Sequence, residues 1–401
     1  MRGWTVLVLC VGAAAMTFAQ SGRQIINPDA TRPFSGGVKT GSFVYVAGSV
    51  GTNASGAVAK GDIKAQTKQT LENIDGILKK GGSSLANAAS IMVYLRNASD
   101  FAAMNEAYAA MFPKDPPTRT TVVINQPFAA ADALVEIAAV GIVTGAERTV
   151  VHPADWVRSP APYNYGIKSG DTLFMSGLVS RNGKDNTNVK GDMTAQTKTI
   201  LDNGAAILKA AGMSFGDVVT SRVYITDETN FQAMNAAYRP YFTSGSMPAR
   251  ATVKTGLTSA DYVVEITMVA VKNAARKSVA TPNADGSTPQ ANPNANLSAA
   301  VQVGNRLYVS GITGNTAANK GDAKAQTGEA LARIERTLKA AAFDWSNVVD
   351  STVYLSSMAD YQTMNGAYRE KLMKDFPARA TVGTGLMGAD AAVEIMMVAA
   401  K

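Results

Sequence analysis

Cysteine and histidine are almost missing from this 401-residue chain, which has one of each, Cys10 and His152. Cys10 falls in the opening stretch "MRGWTVLVLCVGAAAMTFAQ". There Arg2, an apolar run and small residues ending at Ala19 follow the order of a secretory leader, with Thr17 and Ala19 at the cleavage positions. Loss of residues 1–19 leaves a mature chain without cysteine, which excludes disulfides, thiol catalysis and Cys-ligated metals. The apolar run is too short to read as a membrane span. The mature protein is therefore expected to be secreted or periplasmic, away from the membrane. His152 stands alone in a joint between repeated segments, so it supplies neither a metal ligand set nor a repeated catalytic base. Long runs of one charge are also missing. The net charge is +7, but the Lys and Arg residues are scattered, with no basic run and no aromatic ladder, which argues against nucleic-acid binding. No phosphate-cradling glycine loop and no nucleophile motif occurs.

What the chain does have is repetition. "GDIKAQT", "GDMTAQT" and "GDAKAQT" begin at Gly61, Gly191 and Gly321, a constant step of 130 residues. "DFAAMNEAY", "NFQAMNAAY" and "DYQTMNGAY" begin at Asp100, Asn230 and Asp360, again 130 apart. A period of that length is a whole domain rather than a solenoid unit. The expected organisation is a leader at 1–19, domains at 20–146 and 147–273, an Ala/Asn/Pro-rich linker at 274–296 and a third domain at 297–401.

Each copy reads alike. A strand such as "SFVYVAG" ends in glycine, and a helix opens at Asp62, Asp192 or Asp322, a good N-cap residue. In the first copy Ile63, Leu71, Ile74 and Ile77 with Leu78 keep helical spacing, and Gly81-Gly82 ends the run. A β-branched strand ("SIMVYL", "SRVYI", "STVYL") and a second helix near Asp100, Asn230 or Asp360 follow, and two strands close the copy. The order βαβαββ with an early hairpin predicts an α+β domain with two helices on one face of a sheet. The other copies are then the natural cover for its second face.

The closing strands carry the most informative residues. "MPARATVKTGLTSADYVVEITMVA" and "FPARATVGTGLMGADAAVEIMMVA" each place an arginine at the start of one strand and a glutamate inside the next. Glu265 lies 15 residues after Arg250 and Glu394 lies 15 after Arg379, whereas Arg119 and Glu136 are 17 apart. A turn between the two strands is expected to bring the arginine and glutamate of one copy together, with the first copy's pair displaced by its longer turn. A planar guanidinium grips a carboxylate through two parallel hydrogen bonds, which lysine cannot copy. A carboxylate inside an apolar strand is either paired or functional.

The PAR-x-x-V strand, the V-E-I strand, the G-D-x-x-A-Q-T helix start and the M-N-x-A-Y helix resemble the Rid family, also called YjgF-like or L-PSP endoribonuclease-like. The resemblance implies three tandem chorismate-mutase-like domains forming an intrachain pseudo-trimer, monomeric as a chain, with ligand clefts at the domain junctions. It also implies a 2-iminobutanoate/2-iminopropanoate deaminase-type hydrolase that needs no metal or cofactor. On that pattern Arg119, Arg250 and Arg379 would bind the substrate carboxylate, and Glu136, Glu265 and Glu394 would hold and activate the attacking water. Tyr163 matches a cleft tyrosine that Phe34 and Leu297 replace in the other copies. Ser176 and Ser310 match a cleft serine, where the first copy has Ala47. Asn105, Asn235 and Asn365 match a helix asparagine, for which capping or packing is an equal alternative. The second copy is therefore the most complete and the first the least.

Three functions stand beside one another: hydrolysis of small 2-imino or enamine acids, non-catalytic capture of 2-oxo acids or similar carboxylates, and RNA cleavage. The last ranks lowest, because no His, Cys or Lys recurs beside the arginine as a second proton-transfer group. A structural reading competes with all three, in which each Arg–Glu pair clamps the copies together as an interface ion pair.

Overall fold

The computed structural model describes residues 22–124, 126–243, 245–272, 275–290 and 292–401. The expected leader, its cleavage site and Cys10 lie outside these residues.

Each repeat folds as an α+β domain with two helices on one sheet face. The long helices α1 (Ile63–Lys80), α3 (Met193–Ala210) and α5 (Ala323–Ala340) alternate with the shorter α2 (Phe101–Met111), α4 (Phe231–Tyr238) and α6 (Tyr361–Leu372). The long helices start where their aspartates dictate: Asp62, Asp192 and Asp322 each accept a hydrogen bond from the amide three residues on, at 2.9 Å. Their apolar stripes face the sheet. Leu71, Ile74 and Leu78 of α1 are 0% exposed, and burying an aliphatic side chain of this size contributes about 1.5–3 kcal/mol. Met104, Met234 and Met364 of the short helices pack into the same three cores.

The strand order corrects one expectation. The arginine strands (Thr118–Val123, Ala249–Lys254, Ala378–Gly383) and the glutamate strands (Val135–Ile142, Val264–Val271, Val393–Ala400) are not neighbours. A middle strand (Ala88–Leu95, Val218–Ile225, Val348–Leu355) separates them, parallel to the first and antiparallel to the second. The connection between arginine and glutamate strands therefore crosses over the middle strand instead of turning back as a hairpin. Arg250 and Glu265 end up on different strands at different heights: Arg250 is level with Ser221, Glu265 with Tyr224. The pair predicted within one copy does not form. Lys277–Val279 pairs with Ala300–Val303, so the third sheet begins inside the stretch expected as a linker.

The open faces of the three sheets meet around a pseudo-threefold axis. Tyr94, Tyr224 and Tyr354, 130 residues apart, are 1%, 0% and 0% exposed and share one core drawn from all three domains. Two further cores also mix domains. Two and four residues before these tyrosines, on the same strands, the symmetry breaks: Met92, Arg222 and Thr352 occupy equivalent positions, as do Ser90, Thr220 and Asp350. Arg222 lies 3.9 Å from Asp350 and donates to the Thr352 hydroxyl at 3.4 Å, across the domain boundary.

The ring is closed in two ways. Gly256–Leu257 of the second domain pairs with the first domain's arginine strand, and Gly385–Leu386 of the third pairs with the second's. Among the described residues the first domain has no such strand on the third. The Gln126 side chain takes its place, donating to the Ser356 carbonyl and accepting from the Met358 amide, both at 2.8 Å.

Candidate active site

Each arginine strand runs along the edge of the next domain, and the arginines meet glutamates there. The Thr121 amide, two residues beyond Arg119, donates to Glu265 at 3.3 Å. The Thr252 amide serves Glu394 in the same way, and the Thr381 amide serves Glu136. The pairs that face each other are therefore Arg119 with Glu265, Arg250 with Glu394, and Arg379 with Glu136. Every pair crosses a domain boundary, and the third returns to the first domain to complete the circle. Since no pair depends on the turn within one copy, the longer turn of the first copy displaces none of them.

The guanidiniums are buried: Arg119 is 4% exposed, Arg250 and Arg379 2% each. Each lies over the tyrosine of the M-N-x-A-Y helix, 4.8 Å from Tyr108, 4.9 Å from Tyr238 and 4.8 Å from Tyr368. These tyrosines are site residues that sequence reasoning passed over, although the repeated motif ends in them. Asn235 and Asn365 accept from Arg250 and Arg379 at 2.7 and 2.6 Å, so they orient the arginine rather than cap the helix. In the first cleft this bond is open: Asn105 Oδ1 and Arg119 Nη1 are both buried without a partner. Arg250 Nε and Nη1 and Arg379 Nε are likewise buried without an acceptor. Burial lowers the pKa of each guanidinium, but the group stays cationic in proteins. A buried cation with free N–H groups calls for an anion.

Across each cleft the glutamate carboxyl is buried among apolar neighbours. Burial pushes the pKa of Glu136, Glu265 and Glu394 up to about 8, against the smaller opposing effects of a threonine amide and the facing arginine. The carboxyls occupy the space left by glycines: a β-carbon at Gly48 or Gly177 would stand 2.0 Å from Oε1 of Glu136 or Glu265, and one at Gly311 1.8 Å from Oε1 of Glu394. The loop leading to each glutamate is held by the glutamine of G-D-x-x-A-Q-T. Gln66, for example, accepts from the Leu134 amide at 2.7 Å and donates to the Asp132 carbonyl at 3.0 Å.

Ser176 and Ser310 stitch domains. The Ser176 hydroxyl accepts from the Arg119 amide (2.9 Å) and donates to the Asn164 carbonyl (2.7 Å), and Ser310 does the same between Arg250 and Ser298. Tyr163 reaches the Arg119 cleft, its ring 5.8 Å from the guanidinium, while Phe34 stacks on Arg379 at 5.0 Å. Tyr163 and Ser176 thus complete the cleft whose arginine belongs to the first copy. That cleft encloses about 230 Å³ and has Arg119, Thr121, Tyr163, Gly177 and Glu265 in its wall. His152 lies apart, its ring nitrogen 2.9 Å from the Trp156 carbonyl oxygen.

Three segments, 24–143, 155–272 and 288–401, match the family model described as Endoribonuclease L-PSP. The chain belongs to this family, the Rid family, in three tandem copies. A RutC family protein of Pyrococcus abyssi is 39% identical over 114 residues, covering 28% of this chain and 88% of the relative. The 2-iminobutanoate/2-iminopropanoate deaminase of Escherichia coli is 35% identical over 113 residues, with the same two coverages. Each of these Rid relatives is the size of one copy. A solved chorismatase structure is similar over 79% of this chain and 93% of its own, with a TM-score of 0.51 and 13% identity, which is a likeness of fold.

Proposed function

We propose that this protein hydrolyses small 2-imino or 2-enamino acids to 2-oxo acids and ammonia in the clefts between its domains. The observation that carries the reading is the pairing, in every cleft, of a buried arginine with unsatisfied N–H groups and a glutamate pushed up to about 8. The free guanidinium donors suit the substrate carboxylate, which fixes C2 opposite the glutamate. With its raised pKa, the carboxyl is poised near neutrality to give a proton to the imine nitrogen and then, as carboxylate, to take one from water. The water oxygen bonds to C2, the C2–N bond breaks, and ammonia leaves the 2-oxo acid behind. The named activity of the Escherichia coli relative, 35% identical over one domain, supports the same reaction class.

The test couples an amino-acid oxidase to the purified chain and follows imine loss. Turnover above the uncatalysed rate that disappears in Glu136→Gln/Glu265→Gln/Glu394→Gln supports the proposal. Binding of 2-oxo acids without any acceleration would make the protein a carboxylate-binding module instead.

A further inference from the structure

The three clefts differ, and the difference lies opposite the arginine that grips the substrate. Counting on from the cleft serine-glycine, Arg181 occupies the position held by Thr52 in the first copy and Asn315 in the third. Counting back from the glutamate, Tyr262 occupies the position of Ala133 and Ala391. Arg181 and Tyr262 both line the cleft that contains Arg119 and Glu265. That cleft therefore has two guanidiniums in its wall. At the position of the second, the other two clefts have a neutral side chain.

Arg181 is held in place by neutral groups. Its Nε donates to Asn186 Oδ1 at 2.8 Å, its Nη2 to the Asn186 carbonyl, and its Nη1 to the Tyr262 hydroxyl at 2.6 Å. Tyr262 in turn donates to Asn188 Oδ1 at 2.6 Å, and only beyond Asn188 does a carboxylate appear, that of Asp261. Of the five N–H groups a guanidinium carries, three are engaged, which leaves two for a ligand. A fork positioned by three neutral partners, in a cleft whose other guanidinium has a free Nη1, suits a molecule with an anionic group at each end.

We propose that the cleft between the first and second domains takes a short 2-imino or 2-oxo dicarboxylic acid, with the C1 carboxylate on Arg119 and the distal carboxylate on Arg181. The inference rests on the proposed function for the C1 end and adds the class of side chain this one cleft selects. Thr52 and Asn315 leave the other two clefts to neutral side chains.

The test is calorimetric titration of the full chain with 2-oxoglutarate and with 2-oxobutanoate. The expected result is a 2-oxoglutarate site of stoichiometry near one per chain that binds at least tenfold more tightly than 2-oxobutanoate. Arg181→Thr, the first copy's residue, should reduce that preference tenfold or more, and Arg181→Lys should keep part of it. Unfolding midpoints confirm that both variants fold. An equal affinity for the two acids, or a preference that survives in Arg181→Thr, overturns the inference while leaving the imine hydrolase reading intact. If neither acid binds and no imine is consumed, both readings fail together.

Discussion

The Glu265 carboxylate lies directly against the α-carbon of Gly177, so close that a β-carbon on Gly177 would stand 2.0 Å from Oε1. The glutamate belongs to the closing strand of the second domain and the glycine to its hairpin, a bridge by Leu178 to Ile266 holding the two together. Gly177→Ala must push the carboxyl away from the Thr121 amide. Displacing a catalytic group by about 1 Å costs on the order of 10²-fold in rate. We expect Gly48→Ala/Gly177→Ala/Gly311→Ala together to lower imine turnover by about that factor, with a stability loss of about 1–3 kcal/mol from overpacking. Turnover equal to wild type in a folded triple variant would show that the carboxyls act from elsewhere.

Pairing across domain boundaries makes a sharp distinction between double variants. Arg119→Lys and Glu265→Gln damage one and the same cleft, so combining them should cost little more than either alone. Arg119→Lys with Glu136→Gln damages two clefts, because Glu136 faces Arg379. Within an affected cleft, loss of the bidentate grip should weaken 2-oxo acid binding by about 2–5 kcal/mol. Measured turnover and ligand stoichiometry should therefore separate the two doubles clearly. Identical behaviour of both would contradict the cross-domain assignment.

Much of this was legible in the chain itself. The repeat period, the aspartate-capped helices and the residue types of the cleft all follow from local chemistry that repeats in register. The pairing of the site was not legible. Sequence proximity of Arg250 and Glu265 suggested a hairpin, and nothing local reveals that a strand from earlier in the repeat lies between them. The roles of Tyr108, Tyr238 and Tyr368 were hidden for a related reason: an aromatic at helical spacing reads as core until a guanidinium is found on its face. The bonds of the Ser176 hydroxyl to the Arg119 amide and the Asn164 carbonyl were equally hidden, because they exist only once two domains meet.

The glutamates give stability a definite pH dependence. Their folded pKa values, about 8, exceed the ordinary value of 4.5. Between these limits the folded chain holds protons that the unfolded chain has released, so stability falls as pH rises. The contribution is fully present below about pH 4.5 and lost as pH passes 8. Chemical denaturation at pH 5.5 and 8.5 should show a loss that is smaller in Glu136→Gln/Glu265→Gln/Glu394→Gln, whose amides do not titrate. An undiminished loss in that variant would place the dependence on other groups.

The ring closes within one polypeptide, through two cross-domain strand pairs and Gln126. Tethered copies meet at high effective concentration and leave no third position for another chain. Light scattering should report the mass of one chain at micromolar concentration. A mass of three chains would mean that copies are exchanged between molecules.

The axial ion pair of Arg222 and Asp350 makes this arrangement hard to undo. In an assembly of identical subunits every axial residue is met by two copies of itself. A second domain released to trimerise alone would press three arginines together, and a third domain three aspartates. In the tandem chain each charge is present once: Met92 and Thr352 hold the positions equivalent to Arg222, and Ser90 and Thr220 those equivalent to Asp350. The charge balance at the axis is thus a property of the three unlike copies taken together, and no single repeat carries it alone.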